Sequence, residues 1–183
     1  MCFKGRLALL ALAAGLAFAR PALARVLKSF EDALAGIAPG ATFERRTLFL
    51  DEAASAKAAE LAGVKVKPGV VHAYRLLRDG QPAGMAYLDV HRVRTLPEKV
   101  LVVVGTDGKI AGIEVLAFQE PPDYLPPQRW YDKLKGRALD PDLQIGRGVD
   151  GITGATLTTR AAVESARRAL ALHQTSGEGK KTE

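Results

Sequence analysis

The chain has 183 residues, 48% of them hydrophobic and 25% charged, with a formal net charge of +6. That balance is near the average of folded soluble domains, so it excludes wholesale disorder and a polytopic membrane protein, and the length accommodates one domain with a real core. No basic helix or aromatic-studded basic stripe accompanies the charge, so nucleic acid is not an expected partner.

Residues 1–24 differ in kind from the rest. Lys4 and Arg6 precede an unbroken apolar run from Leu7 to Ala19, and Ala22-Leu23-Ala24 supplies small residues at a cleavage point. This is the pattern of a secretory signal peptide. The run is short for a bilayer that needs about 20 helical residues, so cleavage after Ala24 is favoured, with an uncleaved leader acting as an anchor as the alternative. The expected location is periplasmic or otherwise extracytoplasmic. The only cysteine is Cys2, inside this leader. A mature chain without cysteine has no disulfide, thiolate metal site or haem attachment, so any redox chemistry must reside in something bound.

Val26 to Leu34 repeats apolar residues at helical spacing until Pro39-Gly40, predicting a short first helix. Thr42 to Leu50 reads as a strand. Asp51 to Ala62, rich in Ala and Glu, reads as a helix terminated by Gly63. Four further runs, Val70–Leu77, Ala83–Val93, Val100–Gly105 and Ile110–Phe118, are apolar or alternating, with hairpin signals at Asp79-Gly80 and Asp107-Gly108. Val100 to Val104 is continuously apolar, as a central strand covered on both faces would be. Glu120 to Pro127 contains four prolines and must be a loop. A short helix over Gln128–Lys135 carries Trp130 and Leu134, with the tryptophan more simply a core residue than a stacking platform. The last helix presents Ala161, Ala162, Val163, Ala166, Ala169, Leu170 and Leu172 on one face and Glu164, Arg167 and Arg168 on the other, with Thr158 or Thr159 as its N-cap. The predicted fold is α+β: an antiparallel sheet of about four or five strands with helices packed against it. It forms a single domain over residues 25–173, followed by a polar tail over 174–183.

Before the last helix stands Asp150-Gly151-Ile152-Thr153-Gly154-Ala155-Thr156. A glycine-containing turn with small hydroxyl residues at a helix start leaves free N–H groups at the positive dipole end, which favours an anion such as phosphate. The same turn is also compatible with a plain helix cap.

The segment resembles the flavinylation motif of the FMN-binding domain family, Asp-x-x-Ser/Thr-Gly-Ala-Thr. With five specified positions, an accidental match arises about once in a few thousand chains of average composition. The family includes flavin subunits of the Rnf and sodium-pumping NADH:quinone reductase complexes, the flavin domain of nitrous oxide reduction regulators, and small secreted domains. The resemblance covers about Val70 to Leu172. It implies that a dedicated flavin transferase esterifies the FMN phosphate to Thr156, a phosphoester that keeps the cofactor attached outside the cytoplasm. Asp150, Thr153, Gly154 and Ala155 would then be recognition and turn positions, with Thr158 following at the helix start. The upstream loop of the complex subunits tends to read Glu-Thr-Pro-Gly-Leu-Gly against the flavin ring. Here it reads Glu120-Pro121-Pro122-Asp123-Tyr124-Leu125, a departure that favours a free-standing member. Glu120, Tyr124 and Leu125 are the ring-lining candidates, and Arg147 and Arg129 are candidate sources of positive charge.

The function implied by the resemblance is an exported electron-transfer flavoprotein. It would relay electrons between membrane or exported redox proteins serving as donor and acceptor, rather than act as a stand-alone enzyme with catalytic residues. The alternatives are a flavin-dependent reductase of a small molecule and a non-redox periplasmic binding or scaffold module. His72, His91 and His173 show no metal-ligand spacing, and no metal site is expected.

Overall fold

The structure is a computed structural model that describes residues 25–176. The signal-peptide or anchor expectation for residues 1–24 and the tail residues 177–183 lie outside the described residues. Among the described residues, no helix is long and apolar enough to cross a membrane.

The first element is a two-residue strand, β1 (Arg25–Val26), followed by helix α1 (Phe30–Ile37). The predicted helix therefore begins later than Val26. Ser29 is its N-cap, accepting a 3.0 Å hydrogen bond from the Asp32 amide, and this local stop leaves Val26 free to pair with Ala117. Strand β2 (Thr42–Leu50) leads into α2 (Glu52–Ala62). There the Asp51 carboxylate accepts from the Ala54 amide at 2.7 Å, and Gly63 closes the helix with a left-handed φ of 63°.

Strands β3 (Gly69–Arg78), β4 (Gln81–Arg92), β5 (Pro97–Val104) and β6 (Ile110–Phe118) complete the sheet. Its order is β1-β6-β5-β4-β3-β2, with every pairing antiparallel. The α+β architecture is thus as expected, with five long strands and the short β1 added at one edge. The β3–β4 hairpin turns through Asp79 and Gly80, both at positive φ (51° and 76°), which is why an Asp-Gly pair marks a tight hairpin. Gly84 sits where the β3–β4 register shifts, and a Cβ there would run into the Val104 carbonyl oxygen.

Beyond the sheet, the proline-rich segment contains a single 3₁₀ turn, Pro122–Tyr124. A short helix α3 (Gln128–Tyr131) then continues as a 3₁₀ turn to Leu134. Helix α4 (Thr156–Thr175) is the longest, and it extends past residue 173 into the stretch read as tail.

Val100 to Val104 are all essentially buried because β5 is central and alternates between two cores. Val100, Val102 and Val104 meet Ala162, Ala166 and Leu170 of α4 on one face, and Leu101 and Val103 pack with Leu34 of α1 on the other. Burying one such aliphatic side chain stabilises by roughly 1.5–3 kcal/mol. The alanine stripe of α4 lets the helix lie close to the sheet, and that fixes where its N-terminus emerges.

Candidate functional site

Thr156 is the first residue of α4, and its side chain is exposed. The N-cap position is Ala155, whose side chain has no oxygen to receive a first-turn amide. The expectation that Thr158 or Thr159 caps the helix is therefore corrected. The helix starts earlier than either, Thr158 is buried (1% exposed), and the Thr159 hydroxyl donates back to the Thr156 carbonyl at 3.0 Å. A threonine one turn inside a helix finds a carbonyl of its own helix more readily than a distant amide. Gly154, at φ 86°, has nothing within 4 Å of where a Cβ would stand, so the approach to the turn is open. Asp150, Thr153 and Gly154 are exposed like Thr156, whereas Ala155 is buried.

The turn is held from beneath. Trp130, buried at 3% exposure, donates its indole Nε1–H to the Asp150 carbonyl at 2.7 Å. This confirms the core reading of the tryptophan and ties α3 to the motif. The Thr156 hydroxyl makes only a long 3.4 Å hydrogen bond, to the Ile152 carbonyl. A weak, exposed tether leaves this oxygen accessible to chemistry.

On α4, Arg160, Val163 and Arg167 follow Thr156 on the same face, by the i+4, i+7 and i+11 spacing of a helix. These three line a cavity of about 560 Å³ together with Leu61, Leu139 and Arg147. Arg167 shapes its wall, donating to the carbonyls of Ala62, Asp140 (2.7 Å) and Leu143 (3.1 Å). Arg147 shares this cavity with Arg160, which stands one helical turn after Thr156 and which sequence reading did not single out. Arg129 is exposed on α3 and is not among the residues lining this cavity.

The three loop candidates separate. The Glu120 carboxylate turns inward and accepts from the amides of Thr95 (2.6 Å), Leu96 (2.7 Å) and Arg94 (3.2 Å), closing the β4–β5 connection. Those amide bonds, Leu96 and Thr95 foremost, hold its pKa below the ordinary carboxylate value. Tyr124 is half-buried against the main core. Leu125 packs against the same core and also lines a groove of about 310 Å³ with Pro126, Leu27 and Lys28.

Sequence spacing did not reveal a second polar cluster, assembled by β4, β5 and α4. His91 bridges Asp89 (3.1 Å) and the fully buried Glu98 (3.0 Å), and Arg168 donates to Asp89 at 2.6 Å. Burial opposes the charge on His91, but hydrogen bonds to Asp89 and Glu98 outweigh it and raise its pKa to about 9. Burial likewise opposes the Asp89 charge, yet His91 and Arg168 hold its pKa well below the usual range. Tyr131 lies nearby, its phenol pushed up first by burial and then by the Glu98 charge. The expectation that Arg168 faces solvent is corrected: antiparallel pairing puts Asp89 beneath it. Among the described residues, no group of three or more His, Cys, Asp or Glu is arranged to hold a metal ion.

Comparison with known proteins bears on the same region. Residues 96–171 match the FMN-binding domain family, from β5 through most of α4 and so from later in the chain than Val70. The G component of the ion-translocating oxidoreductase complex of Vibrio cholerae is 32% identical over 113 residues, covering 55% of this chain and 54% of the relative. Its counterpart in Shewanella oneidensis is 34% identical over 84 residues, 39% of this chain and 40% of the relative. The chain thus spans about half the length, or less, of these curated relatives. The matched residues 96–171 contain the Asp150–Thr156 turn and most of the helix it opens, so the similarity to FMN-binding domains falls on the segment that carries the site.

Proposed function

We propose that the protein is an exported electron-transfer flavoprotein carrying FMN through a phosphoester to Thr156. The observation that carries this reading is an exposed hydroxyl at the first position of a 20-residue helix whose N-cap is alanine, inside the segment that matches an FMN-binding domain. The residues present fit a phosphate ester. First-turn amides without a side-chain cap and the positive end of the helix dipole stabilise a phosphate charge. Gly154 leaves room for it, and Arg160, one helical turn after Thr156, adds Coulomb attraction.

In this reading a flavin transferase uses FAD as donor: the Thr156 oxygen bonds to the FMN phosphorus, the bond between the two phosphates breaks, AMP leaves, and the hydroxyl proton goes to base or solvent. The protein would fix the position and electrostatic surroundings of a bound FMN, which would supply the redox chemistry. Asp150, Thr153 and Ala155 shape the turn presented to the transferase, and Trp130 holds that turn in place. The donor and acceptor are membrane or exported redox proteins, in keeping with relatives that are subunits of an ion-translocating oxidoreductase complex. The leader directs the chain outside the cytoplasm or anchors it there.

The test is mass spectrometry of protein exported from cells that make the flavin transferase. The expected product is yellow after denaturation, with the FMN mass on the peptide containing Thr156 and no covalent flavin on Thr156→Ala. Colourless protein with an unmodified Thr156 peptide overturns the proposal.

A further inference from the structure

The sheet opens at one end. The β3–β4 ladder ends at the His72–Leu88 pair, although β3 stays paired with β2 as far as Gly69 and β4 with β5 as far as Arg92. The two halves diverge beyond that pair, and a cavity of about 730 Å³ lies where they part. That volume is within the range of small-molecule sites, roughly 300–1,000 Å³.

The chemistry of the cleft is lopsided. Val66, Pro68, Val70, Val71, Val90 and Leu172 form apolar walls, and Val70 and Val90 remain 53% and 64% exposed. Lys65 and Lys67 are exposed at the rim, and neither has an acidic partner among the described residues. Asp89 is the only carboxylate lining the cleft among the described residues, and Arg168 and His91 already claim it. Arg92, also on the lining, donates to the Thr95 carbonyl and meets no carboxylate there. Arg168 lies more than three turns beyond Thr156 on α4, about 18 Å along the axis at 1.5 Å per residue, so the cleft is remote from the motif.

We propose that this cleft binds an anionic amphiphile, a carboxylate on a linear apolar chain, with the chain between the diverging strands and the head group at Lys65 and Lys67. A cation would meet an excess of like charge. A bare inorganic anion would leave the valine walls in water, and a neutral chain would leave the lysines without a partner. Binding here is independent of any flavin at Thr156.

Isothermal titration of the full chain with decanoate below its micellar concentration tests it, with decyltrimethylammonium and inorganic phosphate as comparisons. Decanoate saturates a single site, and the other two give no saturable heat. Lys65→Gln with Lys67→Gln weakens decanoate by about tenfold, the loss of two partly exposed ion pairs. Val90→Trp fills the exposed mouth and removes saturation. Thr156→Ala leaves decanoate affinity unchanged, and circular dichroism confirms that each variant is folded. Equal affinity for decyltrimethylammonium, or indifference to both the lysine and the tryptophan variants, overturns the proposal. Binding to phosphatidylglycerol vesicles without binding to monomeric decanoate also overturns it, because that result assigns the surface to a bilayer.

Discussion

The indole N–H of Trp130 and the main-chain carbonyl of Asp150 are joined by a 2.7 Å hydrogen bond across 20 residues of sequence. One end of that bond is a buried residue of α3, and the other is the first residue of the Asp150–Thr156 turn. It converts a surface turn, whose glycines would otherwise leave it loose, into a positioned one.

Trp130→Phe keeps the aromatic bulk but removes the donor. The expected outcome is a loss of about 1–3 kcal/mol in urea unfolding, from the unpaired carbonyl and the smaller ring. Covalent flavin per mole should fall in folded protein, because the turn is less well presented. Full loading at unchanged stability would show that the hydrogen bond holds nothing in place.

Thr156→Ala separates chemistry from capping. Because Ala155 occupies the N-cap and the Thr156 hydroxyl makes only a 3.4 Å hydrogen bond, unfolding free energy of the flavin-free chain should change by less than about 0.5 kcal/mol, short of the ~1 kcal/mol typical of a lost cap. Chemical denaturation of the flavin-free variant checks this.

His91 predicts a pH dependence of stability. Its pKa is raised in the fold to about 9 from 6.5. The folded state therefore binds the proton more tightly than the unfolded chain, and this contribution is fully present below pH 6.5 and fades as pH rises through about 9. The melting temperature should fall across that interval, reflecting a loss on the order of 3 kcal/mol of stability. His91→Gln, less stable at neutral pH, should lose this slope. A wild-type melting temperature flat from pH 6 to about 10 would show that the Asp89 and Glu98 contacts do not hold the proton.

Glu120 closes the β4–β5 connection by accepting three backbone amides. Glu120→Ala should speed hydrogen exchange at Arg94, Thr95 and Leu96 while leaving the amides of β5 protected. Glu120→Gln should give an intermediate effect, since a neutral carbonyl oxygen is the weaker acceptor. If exchange at these amides is unchanged in Glu120→Ala, the carboxylate is not what orders the turn.

Local features were legible from the residues alone: the strand alternation, the Asp79-Gly80 hairpin, the Gly63 helix stop, the doubly buried Val100–Val104 and the glycine-containing Asp150–Thr156 turn at the start of an amphipathic helix. Each depends on periodicity or backbone preference within a few residues, and such terms act before the chain is compact. The start of α1 is not a local feature, because Val26 is drawn out of the helix by pairing with Ala117, a partner 91 positions away. Which polar side chains meet was settled by long-range packing alone. Arg168 reads as a solvent-facing helix residue until antiparallel pairing sets Asp89 beneath it. Glu120 reads as a plain loop acid until the β4–β5 turn brings three amides to its carboxylate. Long charged side chains are placed by partners far apart in sequence, and the energies that select those partners exist only after the sheet has fixed its register.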